Sequence, residues 1–209
     1  VIAVRPRYWW LNIKANLVDY TVGISLALLV YLAGTEGLNA WHVILTTIYA
    51  FWLIVVKPQS ETVWTEVQSF FAIFFGTFAT SLLANNLTPL TGVIVCFIIG
   101  YGASRHILIQ GEDHDFTLTT FIFGLLLAEL SWISYHWTIV YYLGDVNKIA
   151  LPQLPIMASL MSFVFMRGYK SALYHDGKIR VDDILVPAVF SVILMFVMLF
   201  FFSEPIFNI

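Results

Sequence analysis

The amino-acid sequence predicts an all-α membrane protein, a polytopic bundle of about seven transmembrane helices joined by short loops. Of its 209 residues, 60% are hydrophobic and only 11% are charged, whereas soluble domains average roughly 45–50% apolar and about 25% charged residues. Seven apolar stretches are each about long enough to cross a hydrocarbon core of about 30 Å. The longest polar interruption covers about 15 residues, which leaves no room for a separate soluble domain.

The expected spans make up one transmembrane helical domain, residues 15–209, in which turn-forming residues separate the apolar stretches. Gly34 to Gly37, Lys57 to Ser60 and Gly144-Asp145 are typical of such turns. The expected spans are 17–33, 40–56, 64–83, 88–109, 116–142, 150–166 and 184–202.

Residues 1–14 precede the first span and are too polar to cross a membrane. Tyr8, Trp9 and Trp10 lie between basic residues, a pattern typical of the headgroup layer, where aromatic rings anchor and cations meet anionic lipid. We therefore expect an interfacial anchor, and the alternative is an arm that docks a partner.

The distribution of basic residues predicts the orientation. Nine of the ten Lys and Arg residues fall on one side of the expected bundle, and Lys148 alone falls on the other. Cytoplasmic loops carry the excess of Lys and Arg, so we expect a cytoplasmic N-terminus and a C-terminus on the opposite side. The nine are Arg5, Arg7, Lys14, Lys57, Arg105, Arg167, Lys170, Lys178 and Arg180.

Glu129 is the most informative single residue, because it lies about 13 residues into the fifth expected span, near the bilayer midplane. An unpaired charge there costs at least ~2.5–3.5 kcal/mol, so Glu129 is expected to face the bundle interior, a wet cavity or a partner, or to be protonated. Trp132 and His136 follow at helical spacing and lie on the same face. This face is either a proton relay or polar ligand site, or a structural contact in which protonated Glu129 bonds to a neighbouring helix.

Asp19, Glu66 and Arg105 all lie near the inner ends of expected spans. Arg105 could bridge one or both carboxylates, because the low dielectric of the membrane boundary favours such pairs. We expect a structural salt-bridge cluster here, and the alternative is a substrate site.

Small residues four apart, Gly76/Thr80 and Gly100/Ser104, have the spacing that lets membrane helices approach closely. Packing within the bundle explains them at least as well as dimerisation.

Several function classes find no support in the sequence. There is no nucleotide-binding glycine loop and no metal motif with reliable spacing, so neither a cofactor nor a metal is expected. The donors between Gly111 and Asp115 are nearly consecutive and indicate a solvated turn with a helix cap. The last span, 184–202, has no lysine for a retinal Schiff base, which excludes a rhodopsin.

The sequence therefore favours a non-enzymatic integral membrane protein, a scaffold or a subunit of a membrane complex. Its expected partners are the lipid bilayer and either other membrane proteins or further copies of itself. No nucleic acid is expected as a partner. The alternative is a small proton-coupled or small-molecule transporter that uses Glu129 and His136. An intramembrane enzyme acting on lipid is the third and least favoured hypothesis, because no catalytic set of residues is evident.

Overall fold

The computed structural model describes residues 6–33, 40–109, 116–143 and 149–204. Within these ranges the chain forms eight α-helices and one small β-sheet. The helices are α1 (Pro6–Ala15), α2 (Leu17–Ala33), α3 (Ala40–Phe51), α4 (Thr62–Leu82), α5 (Pro89–Leu108), α6 (Phe116–His136), α7 (Gln153–Tyr174) and α8 (Val181–Phe202).

Two short helical turns extend this set. Helix α3 continues into a π-helical turn, Trp52–Val56, and a 3₁₀ turn, Ala84–Asn86, connects α4 to α5. Thr88 caps α5, because its side chain accepts a hydrogen bond from the backbone N–H of Thr91, and Pro89 occupies the first turn.

A three-stranded antiparallel sheet lies where α6 ends and α7 begins. Its strands are β1 (Val140–Leu143), β2 (Ile149–Pro152) and β3 (Ser203–Glu204), in the order β2-β1-β3. Since β3 follows α8 directly, the C-terminal ends of α6 and α8 and the N-terminal end of α7 lie together. We call this the sheet end of the bundle.

The sheet corrects the expected boundary of the fifth apolar stretch. The apolar pattern predicts one helix over residues 116–142, but α6 ends at His136 and β1 begins at Val140. The intervening and following residues are mostly aromatic or β-branched, which favours a strand. An apolar stretch does not by itself distinguish a strand from the end of a helix.

At the opposite end of the bundle, polar contacts join helices that run in alternating directions. Asp19 at the start of α2 pairs with Lys57 after α3, and Glu66 near the start of α4 pairs with Lys170 near the end of α7. Arg105 at the end of α5 donates a hydrogen bond to the backbone oxygen of Lys14. We call this the basic end, defined by Lys14, Lys57, Arg105 and Lys170.

In the part of the chain that the structure describes, three helices are long and apolar enough to cross a membrane: α5, α6 from Thr117 and α8. They indicate a membrane-associated helical bundle. Two shorter apolar helices cover Leu17–Ala33 and Ala40–Val56, so the expectation of seven spans is supported in part. Helices α4 and α7 bury several hydroxyl and amide side chains, which lowers their hydropathy.

Helix α4 lies at the centre of the bundle and packs against α2, α5 and α7. By contrast, α8 is peripheral: it packs mainly on α7, and only 11% of its most apolar window is buried. One hydrophobic cluster joins α2, α3 and α4, and a second joins α4, α5, α6 and α7 around Ile73, Phe123 and Leu127.

Helices α5 and α6 make the most extensive helix–helix contact, and glycines bring them close. A Cβ added at Gly100 would lie 3.1 Å from the Cα of Gly124 and 3.1 Å from the Cβ of Leu127. At Gly76, an added Cβ would lie 2.9 Å from the Ile99 side chain. Both glycines of the small-residue pairs therefore serve packing inside the bundle.

Candidate functional site

Glu129 lies on the outward face of α6. Its side chain is exposed, whereas Leu127 and Ser131 on either side of it in sequence are buried. At about 100° per residue, Glu129 points about 160° away from both of them. Exposed apolar side chains make up the rest of this face, which we call the α6 outward face: Leu118, Phe121, Ile122, Leu125, Trp132 and Ile133.

The other two residues of the proposed polar site share this face. The rings of Trp132 and His136 are 4.6 Å apart in an edge-on contact, and the Tyr135 ring lies 5.5 Å from His136. Trp132 is 50% exposed, so this aromatic group covers the outside of α6 near the sheet end. The structure thus brings Glu129, Trp132 and His136 to one helix face, but that face is turned away from the bundle interior.

Glu129 has no hydrogen-bond or ion-pair partner in the part of the chain that the structure describes. Of the four environments expected for Glu129, the bundle interior is not the one in which the structure places it. The physical reason is that the buried face of α6 carries the core residues Thr120, Phe123 and Leu127. Glu129 lies on the other side of the helix, so it cannot point into the same core. The other three, a wet cavity, a partner and protonation, stay predictions.

The structure places Asp19, Glu66 and Arg105 at the basic end but pairs each with a residue outside this set. Asp19 lies 3.4 Å from the Nζ of Lys57, and Glu66 pairs with Lys170. Arg105 donates through Nη1 to the Lys14 carbonyl oxygen at 3.0 Å. Among the described residues, Arg105 makes no ion pair with either carboxylate; Lys57, which follows α3, pairs with Asp19, and Lys170 on α7 pairs with Glu66.

A buried glutamine, Gln68, organises the same end. Its Nε2 donates hydrogen bonds to the carbonyl oxygens of Val56 and Gln59, both at 2.9 Å. These two bonds fix the orientation of the amide, so its Oε1 faces His106 Nε2 at 2.7 Å. Since an amide oxygen only accepts, His106 Nε2 is the donor in this bond.

Arg105 and His106 both line a cleft of about 260 Å³ between α5 and the junction of α1 with α2. Lys14 and Val18 form the opposite wall, and Gly102 and Ile109 complete the lining. We call this the α1–α5 cleft. The sequence analysis identified Arg105 but missed Gln68 and His106. Both are polar residues about one helical turn inside the inner end of an expected span, a position that could have indicated a polar contact between helices.

A second pocket, of about 410 Å³, opens at the sheet end between α4, α5, α6 and α7. Within the described part of the chain, its lining contains no charged side chain and is rich in hydroxyl groups. Sequence reasoning missed this pocket too, although Ser131, Ser134 and Thr138 recur at helical spacing. The hydroxyl-bearing residues are Thr80, Ser81, Thr88, Ser131, Ser134, Tyr135 and Thr138.

Among the described residues, no three His, Cys, Asp or Glu side chains come together as metal ligands would. The single cysteine, Cys96, is buried in α5. No protein-family model, curated protein or solved structure matches this chain.

Proposed function

We propose that this protein is a non-enzymatic subunit or scaffold of a membrane complex, and that the α6 outward face contacts a neighbouring membrane protein. The observation that carries this proposal is Glu129, exposed in the middle of an otherwise apolar helix face. Helix α6 is among the three helices that could cross a membrane, and the carboxylate lies well inside its 21 residues.

Membrane energetics supply the argument for a partner. A carboxylate near the centre of a span costs ~2.5–3.5 kcal/mol on insertion scales when acyl chains surround it. A neighbouring helix that donates a hydrogen bond or a positive charge to Glu129 offsets this cost. The apolar side chains of Leu125 and Ile133, one turn on either side, are suited to pack against such a helix.

Charge complementarity favours a different protein over a second copy of this chain. A two-fold contact through the same face would bring Glu129 of one copy near Glu129 of the other, where two carboxylates repel unless they share a proton. A partner helix with a Lys, Arg or His at mid-depth instead satisfies the carboxylate directly.

The proposed topology has seven spans, α2 to α8, with a cytoplasmic N-terminus. Two observations support it: the alternating direction of these helices and the nine-to-one distribution of Lys and Arg residues. Helix α1 then lies in the cytoplasmic headgroup layer, with Trp9 exposed.

Purification of the tagged protein from its own membranes in mild detergent tests the proposal. We expect a stoichiometric partner protein with the wild type and weaker retention with Glu129→Gln, because the amide keeps a hydrogen bond but not the charge that a Lys, Arg or His of the partner would meet. Glu129→Leu should lose the partner, whereas Glu61→Leu, which removes an exposed carboxylate at the basic end, should keep it. Native mass spectrometry measures the stoichiometry, and a monomeric wild type would contradict the proposal.

A small-molecule or proton-coupled carrier is the second candidate, and the hydroxyl-lined pocket at the sheet end favours it. Neither Glu129 nor His136 contributes to the lining of that pocket. Transport in proteoliposomes discriminates the two functions: a carrier that relies on Glu129 would lose its pH dependence in Glu129→Gln, because glutamine does not titrate.

A further inference from the structure

We infer that the α1–α5 cleft binds a phosphate group, which the membrane supplies as the headgroup phosphate of an anionic lipid. This site is separate from the α6 outward face and does not depend on the proposed subunit function. Its volume, about 260 Å³, suits a headgroup phosphate better than a large ligand.

Arg105 is the main element of the site. Its Nη1 donates to the Lys14 carbonyl oxygen at 3.0 Å, which uses one of the five N–H donors of the guanidinium and holds the group in place at the cleft. A fixed, half-buried guanidinium presents the planar fork that matches two oxygens of a phosphate.

His106, the next residue of α5, is held in place as well. Gln68 accepts the hydrogen bond from His106 Nε2 and is itself fixed by the carbonyl oxygens of Val56 and Gln59. Among the described residues, Nδ1 of His106 makes no hydrogen bond. Because Nε2 carries the single proton of the neutral ring, Nδ1 donates to a phosphate oxygen only when the ring is protonated, and Arg105 is the donor in either state. Two neighbouring side chains, each fixed by a separate hydrogen bond, thus line one cleft.

The charge balance of the cleft favours an anion. No carboxylate is among the described residues that line it. Asp19 interacts electrostatically with His106 but pairs with Lys57, and Glu66 pairs with Lys170. A buried or half-buried cation without a counterion is costly, and a bound phosphate supplies that counterion.

The position of the cleft favours a lipid over a soluble phosphate. It opens beside α1, whose aromatic and basic residues are typical of the headgroup layer. Anionic lipids are concentrated in the cytoplasmic leaflet, where the Lys and Arg distribution places the basic end.

Native mass spectrometry of the full-length protein tests the site, with phosphatidylglycerol and phosphatidylcholine as the probes. We expect the wild type to retain one phosphatidylglycerol in preference to phosphatidylcholine. Arg105→Gln should weaken phosphatidylglycerol binding about tenfold or more, as expected for the loss of a charge-assisted contact. The matched control is Arg167→Gln, which removes an exposed arginine from α7 outside the cleft and should leave binding unchanged.

Arg105→Lys keeps the proposal testable if the glutamine variant does not fold, because lysine retains the charge but lacks the planar fork. It should weaken phosphatidylglycerol binding several-fold, and Arg167→Lys should not. A second arm adds inorganic phosphate to the lipid-depleted protein at constant ionic strength. A rise in thermal stability that Arg105→Gln abolishes, without selective lipid retention, would overturn the lipid source and support a soluble phosphate.

Two results would overturn the site itself. Equal retention of phosphatidylglycerol by the wild type, Arg105→Gln and Arg167→Gln would show that Arg105 makes no specific contact. Equal losses in both arginine variants would show a general attraction of the basic end for anionic lipid.

Discussion

Gln68 shows how one buried side chain supports irregular backbone. At the bend that follows the π-helical turn of α3, the carbonyl oxygen of Val56 accepts only a long local hydrogen bond, 3.3 Å from the Gln59 backbone nitrogen. The Gln68 amide donates to this oxygen and to the carbonyl oxygen of Gln59. Gln68 on the central helix α4 satisfies both, and it also orients His106 on α5. The side chain therefore couples three helices at the basic end.

Replacing Gln68 by leucine should lower the free energy of unfolding by about 1–3 kcal/mol, because it removes the amide donor to the Val56 and Gln59 carbonyl oxygens and the acceptor for His106 Nε2. The measurement is reversible unfolding in mixed detergent micelles. Gln59→Ala is the matched control, since its side chain is exposed and its backbone carbonyl remains, so its effect should be within about 0.5 kcal/mol. Equal stability of the two variants would contradict the role given to Gln68.

For single residues, the sequence predicted the location in the bundle better than the contact partner. It placed Asp19, Glu66 and Arg105 at the same end of the bundle, because span boundaries determine that. It paired them wrongly with one another, because Lys57 and Lys170 reach the carboxylates only through the packing of α3 and α7. Likewise, the sequence gathered Glu129, Trp132 and His136 on one helix face, but periodicity alone does not tell which face of α6 the bundle buries.

Among the elements, the α5–α6 pair depends on the absence of side chains where the two backbones meet. At Gly100, an added Cβ would lie 3.2 Å or less from the Phe123 carbonyl oxygen, the Gly124 Cα and the Leu127 Cβ. None of these atoms is the end of a flexible side chain, so relief requires the helices to move apart.

We therefore expect Gly100→Ala to destabilise the protein by about 1–3 kcal/mol, the usual cost of overpacking. Gly92→Ala, in the same helix, is the control: its added Cβ would lie 3.7 Å from the nearest atom, the Ser131 Oγ. That variant should be neutral or slightly stabilising, because alanine is the better helix former. Thermal unfolding in detergent compares the two, and a harmless Gly100→Ala would contradict the close contact.

Element types were predictable where hydrophobicity and turn residues agree, as for α2, α5 and α8. The β-sheet was not, because β1 continues the apolar stretch of α6 without a polar break and pairs with residues distant in sequence, in β3. Strand pairing of this kind depends on the tertiary arrangement of α6, α7 and α8.

Over the whole molecule, hydropathy reflects where a helix lies in the bundle. The outermost helix, α8, has a mean hydropathy of 2.9 in its best window, whereas the central α4 carries buried threonines, Gln68 and Ser69. A helix enclosed by other helices meets protein on all sides, so it tolerates polar side chains that bond to neighbouring backbone, as Ser69 does to the Ala103 carbonyl oxygen.

The proposed topology predicts opposite accessibility at the two ends of the bundle. The chain has one cysteine, the buried Cys96, so Cys96→Ala gives a cysteine-free background for labelling. In intact cells, an impermeant maleimide should label Asn86→Cys near the sheet end and should not label Lys178→Cys until the membrane is opened. Labelling of both positions in intact cells would contradict the seven-span topology.

The central claim is that the α6 outward face contacts another membrane protein, and site-specific photo-crosslinking in native membranes tests it most directly. A photoreactive residue at Leu125 should give one discrete protein adduct that Glu129→Leu abolishes. The same residue at Ile193 of α8, which is also exposed and apolar, should give no such adduct. Lipid adducts alone at Leu125, or the same protein adduct from both positions, would contradict the account.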